Sequence, residues 1–170
     1  MSILKPDEFA PSAYEVDYDR LYRRGIRLLV FDIDNTLELY TAADPGEKLR
    51  GLVKRLKETG FRIALLSNGK EPRVARFGAA LAVSYRFKAG KPMPKGLRMT
   101  MEEAGVTPKE TAVIGDQLFT DCMAGNLAGA YTIYTEPLSR EVDEAITRPK
   151  RPLEMLFLKR WRKENTHEDR

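Results

Sequence analysis

The chain has 170 residues, 42% hydrophobic and 32% charged, a composition that suits one folded domain and excludes both disorder over the whole length and a need for covalent staples. Cys122 is the only cysteine, which rules out an internal disulfide framework and fits a reducing cytosol. The net charge of +4 is local. Arg148 to Lys163 carries seven basic side chains against Glu154 alone, a +6 that leaves the rest of the chain at −2. A uniformly basic nucleic-acid binder is therefore disfavoured, and no nucleic-acid partner is expected.

No apolar run reaches the ~18 residues of a membrane span, and the opening MSILKPDEFAPS lacks the apolar core of a secretory signal. Residues 1–25 read as an N-terminal arm in which Asp17 caps a short turn that stops at Gly25. A strand follows over Arg27–Phe31. Asp44, Pro45 and Glu47 then read as N-cap, first helical position and capping box of a helix that buries Leu49, Leu52, Val53 and Leu56 and stops at Gly60. Phe61–Leu66 is the second strand. Glu71–Leu81 is a helix with Val74, Phe77 and Leu81 inward, and Val83–Phe87 is the third strand. Pro94 starts a helix with Leu97, Met101 and Ala104 on one face, and both Met99 and Met101 are expected to pack. Thr107-Pro108-x-Glu110 repeats the capping pattern before a fourth strand, Thr111–Gly115. Asp121–Ala128 is helical and Tyr131–Tyr134 is the fifth strand.

Strands alternating with helices imply parallel pairing through right-handed crossovers, and apolar rather than alternating strands imply helices on both faces. The expected fold is α/β: a Rossmann-like, doubly wound parallel sheet of about five strands. Ligands of such sheets bind beyond the carboxyl ends of the strands. There the first strand delivers Asp32, Asp34, Asn35 and Thr36. The second delivers Ser67, Asn68 and Gly69, the third is followed by Lys88 and Lys91, and the fourth by Asp116 and Asp121. Several carboxylates in one space raise each other's pKa unless a cation relieves them, and a hard divalent ion such as Mg2+ accepts such oxygens. A carboxylate attacking a phosphate dianion needs that cation and an ammonium to offset like-charge repulsion.

Asp32-Ile33-Asp34-Asn35-Thr36, Ser67, Lys91 and Gly115-Asp116-x-x-x-x-Asp121 resemble, in order, the four motifs of the haloacid-dehalogenase (HAD) superfamily phosphatases. The resemblance covers about Gly25 to Pro137. It implies Asp32 as nucleophile, Asp34 as acid/base, and Ser67 and Lys91 as phosphate contacts, with Thr36 and Asn68 beside them for substrate. It also implies Mg2+ held by Asp32, Asp34 (through its backbone carbonyl), Asp116 and Asp121. Lys88 stands in reserve for Lys91, and Asp121 also reads as a cap for the helix at Cys122.

Within that superfamily the chain is similar to the small subclass-IIIA members of YqeG type, themselves similar to the mitochondrial phosphatidylglycerophosphate phosphatase. The carrying features are the lead-in Tyr14–Gly25, the runs FDIDNTL, LSNG and GDQLFTD, Lys91-Pro92, and the tail Arg151-Pro152-Leu153. This implies a phosphomonoester substrate, an anionic phospholipid such as phosphatidylglycerophosphate, and an aspartyl-phosphate intermediate. Alternatives are a soluble nucleotide or sugar phosphate, or a non-catalytic phosphate-binding or receiver-like module. The receiver is disfavoured because its phosphoacceptor follows the third strand, where this chain carries lysines.

Only 30 residues separate Leu37 from Ser67 and 24 separate Ser67 from Lys91. Strand and helix fill both intervals, so no cap domain is expected and water exclusion must come from elsewhere. Residues 26–137 are read as the HAD-like core and 138–170 as a basic amphipathic segment. Leu153, Leu156, Phe157 and Trp161 recur there near helical spacing beside Lys159, Arg160, Arg162 and Lys163. Such a segment suits either docking on the core or peripheral contact, through 148–163, with an anionic membrane. The expected location is cytoplasmic, peripheral on the inner face of the membrane.

Overall fold

The computed structural model describes residues 2–139 and 151–168. Six strands form one parallel sheet: β1 (Glu8–Ala10), β2 (Leu28–Phe31), β3 (Arg62–Leu66), β4 (Ser84–Arg86), β5 (Thr111–Gly115) and β6 (Tyr131–Thr135), in the order β1-β6-β5-β2-β3-β4. The helices between them are α1 (Tyr18–Arg23), α2 (Glu47–Thr59), α3 (Glu71–Leu81), α4 (Lys95–Ala104) and α5 (Met123–Ala128). A sixth, α6 (Arg151–Glu168), carries the basic segment; residues 148–150 lie outside the described residues.

The strands are short apolar runs whose alternate side chains feed two cores. Leu29, Phe31, Ile63, Leu65 and Ile114 meet α1, α2 and α3 on one face. Leu28, Val30, Ala64, Leu66 and Val113 meet Leu97, Met101 and Ala128 of α4 and α5 on the other. This is the doubly wound architecture, and right-handed crossovers require it: connections running from β2 towards β4 cover one face, and those running back cover the other. The direction reverses between β2 and β5, which pair in the register Phe31↔Ile114. The crevice at that reversal is where such sheets hold their ligands.

The sheet has one more strand than expected. Glu8–Ala10 of the arm adds parallel to β6, and the Asp7 carboxylate accepts from the Thr132 backbone N–H (2.8 Å) and hydroxyl (3.0 Å). Three residues give too little pattern to be read as a strand, and the pairing partner lies over 120 positions away. The arm is also anchored by burial of Ala13, Val16, Tyr18 and Leu21.

The start of α2 also differs. Gly46, not Asp44, precedes its first turn; the Gly46 N–H donates to Glu38 Oε1 (2.8 Å), while Asp44 is taken by the Arg76 guanidinium (2.6 and 3.0 Å). Leu49, Leu52, Val53 and Leu56 are buried as expected, and Gly60 ends the helix at φ 108°, where only glycine is unstrained. Strand β4 is shorter than Val83–Phe87, and of the two methionines of α4 Met101 is buried while Met99 is exposed. The segment after β5 is a π-helical turn, Leu118–Cys122, before α5 begins.

Helix α6 docks through Glu154, Leu158 and Trp161, which share one face by spacing. Leu158 and Trp161 pack on Leu118, Cys122 and Tyr134, with Leu4 and Phe9 of the arm alongside. Phe157 stacks on Trp161 at 5.4 Å and meets Phe119 edge-on at 6.3 Å. The buried Glu154 carboxylate accepts from the Phe119 N–H (3.1 Å). No described helix is long and apolar enough to cross a membrane.

Candidate active site

Every group at the carboxyl edge is placed by a strand end. Asp32 follows β2 directly, and its N–H still donates to Ile114 O (3.0 Å), so the carboxylate emerges at the β2–β5 crevice. Asp116 follows β5 and is wholly buried. Asp121 returns to the same point because the π-helical turn folds back over β5. A side chain on Gly115 would put its Cβ 2.3–2.5 Å from the Asp121 side chain, so that position has to be glycine. Oxygens of Asp32, Asp116 and Asp121 all lie within 4.8 Å of one another, and all three residues are buried.

One ammonium relieves them. Lys91 Nζ donates to Asp32 Oδ1, Asp121 Oδ1 and Leu66 O, each at 2.7 Å. Burial pushes the Asp32 carboxyl well above the usual range; Lys91 pulls it down, while Asp121 and Asp116 add to the rise. Burial works against the Lys91 charge, but Asp121 and Asp32 outweigh it and hold the ammonium above the ordinary lysine value. Lys88 is exposed. The geometry therefore selects Lys91 over Lys88 as the lysine inside the cluster. Asp121 does not cap α5; its second oxygen accepts from the Gln117 N–H (3.2 Å).

The remaining groups support this centre. Thr36, which the sequence placed with the substrate contacts, donates its hydroxyl to Asp116 Oδ1 (3.0 Å). Asn68 clamps the Lys91 backbone twice, donating to its carbonyl and accepting from its N–H, both at 2.9 Å. Ser67 Oγ accepts from the Gly69 N–H (2.9 Å), which leaves the hydroxyl hydrogen free to be aimed into the crevice. Asn35 takes φ 66°, turning the chain sharply after Asp34, and its amide holds the Ser139 backbone at 2.7 and 2.9 Å.

Asp34 stands apart from the other three aspartates. Its carboxylate is outside the three-aspartate cluster and accepts from Arg73 Nε at 2.8 Å. Arg73 also donates to the Leu39 carbonyl (3.1 Å) and the Ala42 carbonyl, and lies 4.8 Å over the Phe77 ring and 5.5 Å over the Tyr40 ring. Sequence reasoning missed Arg73. Its only signal was a place in the first turn of a helix that starts at the carboxyl edge, which many surface arginines share. Cys122 is buried against the same turn, and burial, then Asp121 and Glu154, push its thiol well up, so it is no nucleophile.

Three buried carboxylates with oxygens this close are a hard-oxygen donor set of the kind that Mg2+ accepts. The residues fit the ion.

A sheet wound this way, with a strand-end aspartate, a hydroxyl, a lysine and an acidic pair at its carboxyl edge, defines a class. A family model for haloacid dehalogenase-like hydrolases matches residues 38–129, which include Ser67, Lys91, Asp116 and Asp121. The chain belongs to that family and is one of its phosphatases, a phosphoric monoester hydrolase of YqeG type. It is 32% identical over 153 residues to the probable phosphatase YqeG of Bacillus subtilis, covering 90% of this chain and 88% of that one. It is 34% identical over 157 residues to phosphatidylglycerophosphate phosphatase 1, chloroplastic/mitochondrial, of Arabidopsis thaliana, covering 86% of this chain and 44% of the plant protein. Among solved structures, the cobalt-bound deoxy-D-mannose-octulosonate 8-phosphate phosphatase of Haemophilus influenzae shares the fold, with TM-score 0.53 and 24% identity over 66% of this chain and 69% of that one.

Proposed function

We propose that this phosphatase is Mg2+-dependent, works through an aspartyl-phosphate on Asp32, and converts phosphatidylglycerophosphate to phosphatidylglycerol. The observation that carries the mechanism is Asp32 itself, a buried strand-end carboxylate whose neighbours are an ammonium and two further aspartates. The substrate rests on the Arabidopsis relative, whose name states that activity.

Asp32 attacks phosphorus through one carboxylate oxygen, and the bond from phosphorus to the leaving oxygen breaks. Asp34 gives that oxygen a proton, then takes one from the water that attacks the Asp32–phosphoryl bond and frees inorganic phosphate. Lys91, oriented by Asn68, and the Ser67 hydroxyl hold phosphoryl oxygens. Thr36 keeps Asp116 in place, and Arg73 keeps Asp34 at the rim rather than in the acidic cluster. Asp32, the Asp34 carbonyl, Asp116 and Asp121 would hold Mg2+, which would supply the positive charge that lets an anionic nucleophile meet a phosphate dianion.

In this reading residues 1–25 are an arm, 26–137 the catalytic core and 138–170 a basic segment that makes peripheral contact with the inner face of the membrane through 148–163. The test is phosphate release, with and without Mg2+, from phosphatidylglycerophosphate in mixed micelles against a panel of soluble nucleotide and sugar phosphates. Preference for the lipid that disappears with chelation supports the reading. Faster turnover of a soluble phosphate moves the substrate to that class.

A further inference from the structure

Among the described residues the carboxyl edge carries no cap domain, yet its mouth is not polar all round. Among the described residues nine large apolar side chains are exposed. Three of them stand on separate loops beside the site. Tyr40 (47% exposed) lies against Arg73, the partner of Asp34; Met93 (61%) is two residues beyond Lys91; Leu138 (39%) donates its N–H to the Asn35 carbonyl at 2.9 Å. These loops come from β2, β4 and β6, so the three side chains surround the mouth instead of lying along one element.

Helix α6 packs beside this edge. It is seated on the π-helical turn that carries Asp121, through the Phe119 N–H bond to Glu154 and the Phe119–Phe157 ring contact. With Glu154, Leu158 and Trp161 turned inward, a step of about 100° per residue puts Leu156 opposite them, with Leu153 and Met155 on its shoulders. All three are exposed, at 50, 65 and 42% for Leu153, Leu156 and Met155. Lys159 and Arg160, both exposed, flank Leu156 on the same outer face. Apolar side chains interleaved with cations suit the boundary of an anionic bilayer, where apolar side chains enter the acyl region and long basic ones reach back to the headgroups.

We propose that Tyr40, Met93, Leu138 and the outer face of α6 form one docking face for an anionic lipid surface, and that the bilayer takes the place of the missing cap. This rests on the lipid-substrate reading above and adds to it which surface faces the membrane. Seated there, the mouth opens onto the headgroup layer. A phosphomonoester headgroup enters without leaving the membrane, and the bilayer excludes bulk water from the crevice.

The experiment compares the full-length parent with Met93→Ser/Leu138→Ser/Leu156→Ser. All three side chains are exposed, and none belongs to the catalytic set. Flotation with phosphatidylglycerol/phosphatidylcholine vesicles and with pure phosphatidylcholine vesicles reads binding. Release from p-nitrophenyl phosphate, from a water-soluble short-chain phosphatidylglycerophosphate and from the long-chain lipid in vesicles reads activity. The parent is expected to bind the anionic vesicles and not the zwitterionic ones. The triple variant should bind them about tenfold more weakly and lose vesicle-lipid turnover in proportion, while turnover of both dissolved substrates stays unchanged.

A parent that hydrolyses the short-chain lipid but does not bind anionic vesicles overturns the docking face and leaves the substrate reading standing. Binding equal in parent and variant overturns it as well, as does a variant that alters the oligomeric state and not vesicle binding, which would make the occupant a second copy. Failure to hydrolyse even the short-chain lipid overturns the substrate reading instead.

Discussion

The two edges of the sheet handle charge in opposite ways. At the amino edge, cations close helix ends. Lys57 Nζ donates to the Leu81 and Ala82 carbonyls at 2.8 and 2.7 Å, Arg62 reaches the Ala104 carbonyl, and Arg27 donates to the Tyr22 and Ile26 carbonyls at 2.8 Å each. Each neutralises orphan carbonyls near the end of α3, α4 or α1, and each stays near solvent. At the carboxyl edge, three carboxylates are buried together and Lys91 bridges two of them, Asp32 and Asp121. The first arrangement contributes a little stability at each place and has no chemistry. The second is unfavourable without cations, which is why it is suited to binding a metal ion and a phosphate.

The contrast can be broken most severely at Asp32. Asp32→Asn should lower phosphate release by about a thousandfold or more, since the attacking oxygen is gone. Its unfolding midpoint should be unchanged or higher, because one buried charge is removed. An active variant would end the nucleophile assignment. Lys91→Met comes next: it leaves the buried Asp32 and Asp121 carboxylates without their ammonium and should cost about 3 kcal/mol in urea unfolding. Added Mg2+ should recover more of that loss than in the parent, because another cation enters the cluster. No Mg2+ stabilisation of either protein would show that the aspartates are not the ion's ligands.

Arg73→Met sharpens the picture at the rim. If Arg73 positions Asp34 as the acid, kcat/KM should fall about thirtyfold for an alkyl phosphate and only a few-fold for p-nitrophenyl phosphate, whose leaving group departs without a proton. A uniform loss on both would make Arg73 a structural residue only. At the opposite edge, Lys57→Met should cost about 1 kcal/mol and leave kcat alone. A loss of activity there would mean that the two edges are coupled.

Much of this was legible beforehand, and the failures have identifiable causes. Leu49, Leu52, Val53 and Leu56 were legible because a periodic apolar face is a local property. The Asp44 cap was not: a capping side chain competes with any partner that tertiary structure brings, and here Arg76 took Asp44 while Glu38 supplied Gly46. The strand Glu8–Ala10 was missed because only β6 makes it a strand. Thr36 and Asn68 were correctly placed at the edge, but their hydroxyl and amide are spent on Asp116 and Lys91. Arg73 carried only a weak mark, a place in the first turn of α3 that many surface arginines share.

From residue order alone came the set of chemical groups at one edge of a parallel sheet. Apolar runs mark where strands lie, and whatever follows each run must emerge at the carboxyl end. Which of those groups touch was left to packing. Asp32, Lys91 and Asp121 meet across gaps of 59 and 30 residues, and a contact of that kind depends on the twist of the sheet, the return of the turn over Gly115 and the direction of each side chain. None of those is encoded in the few residues around the contact.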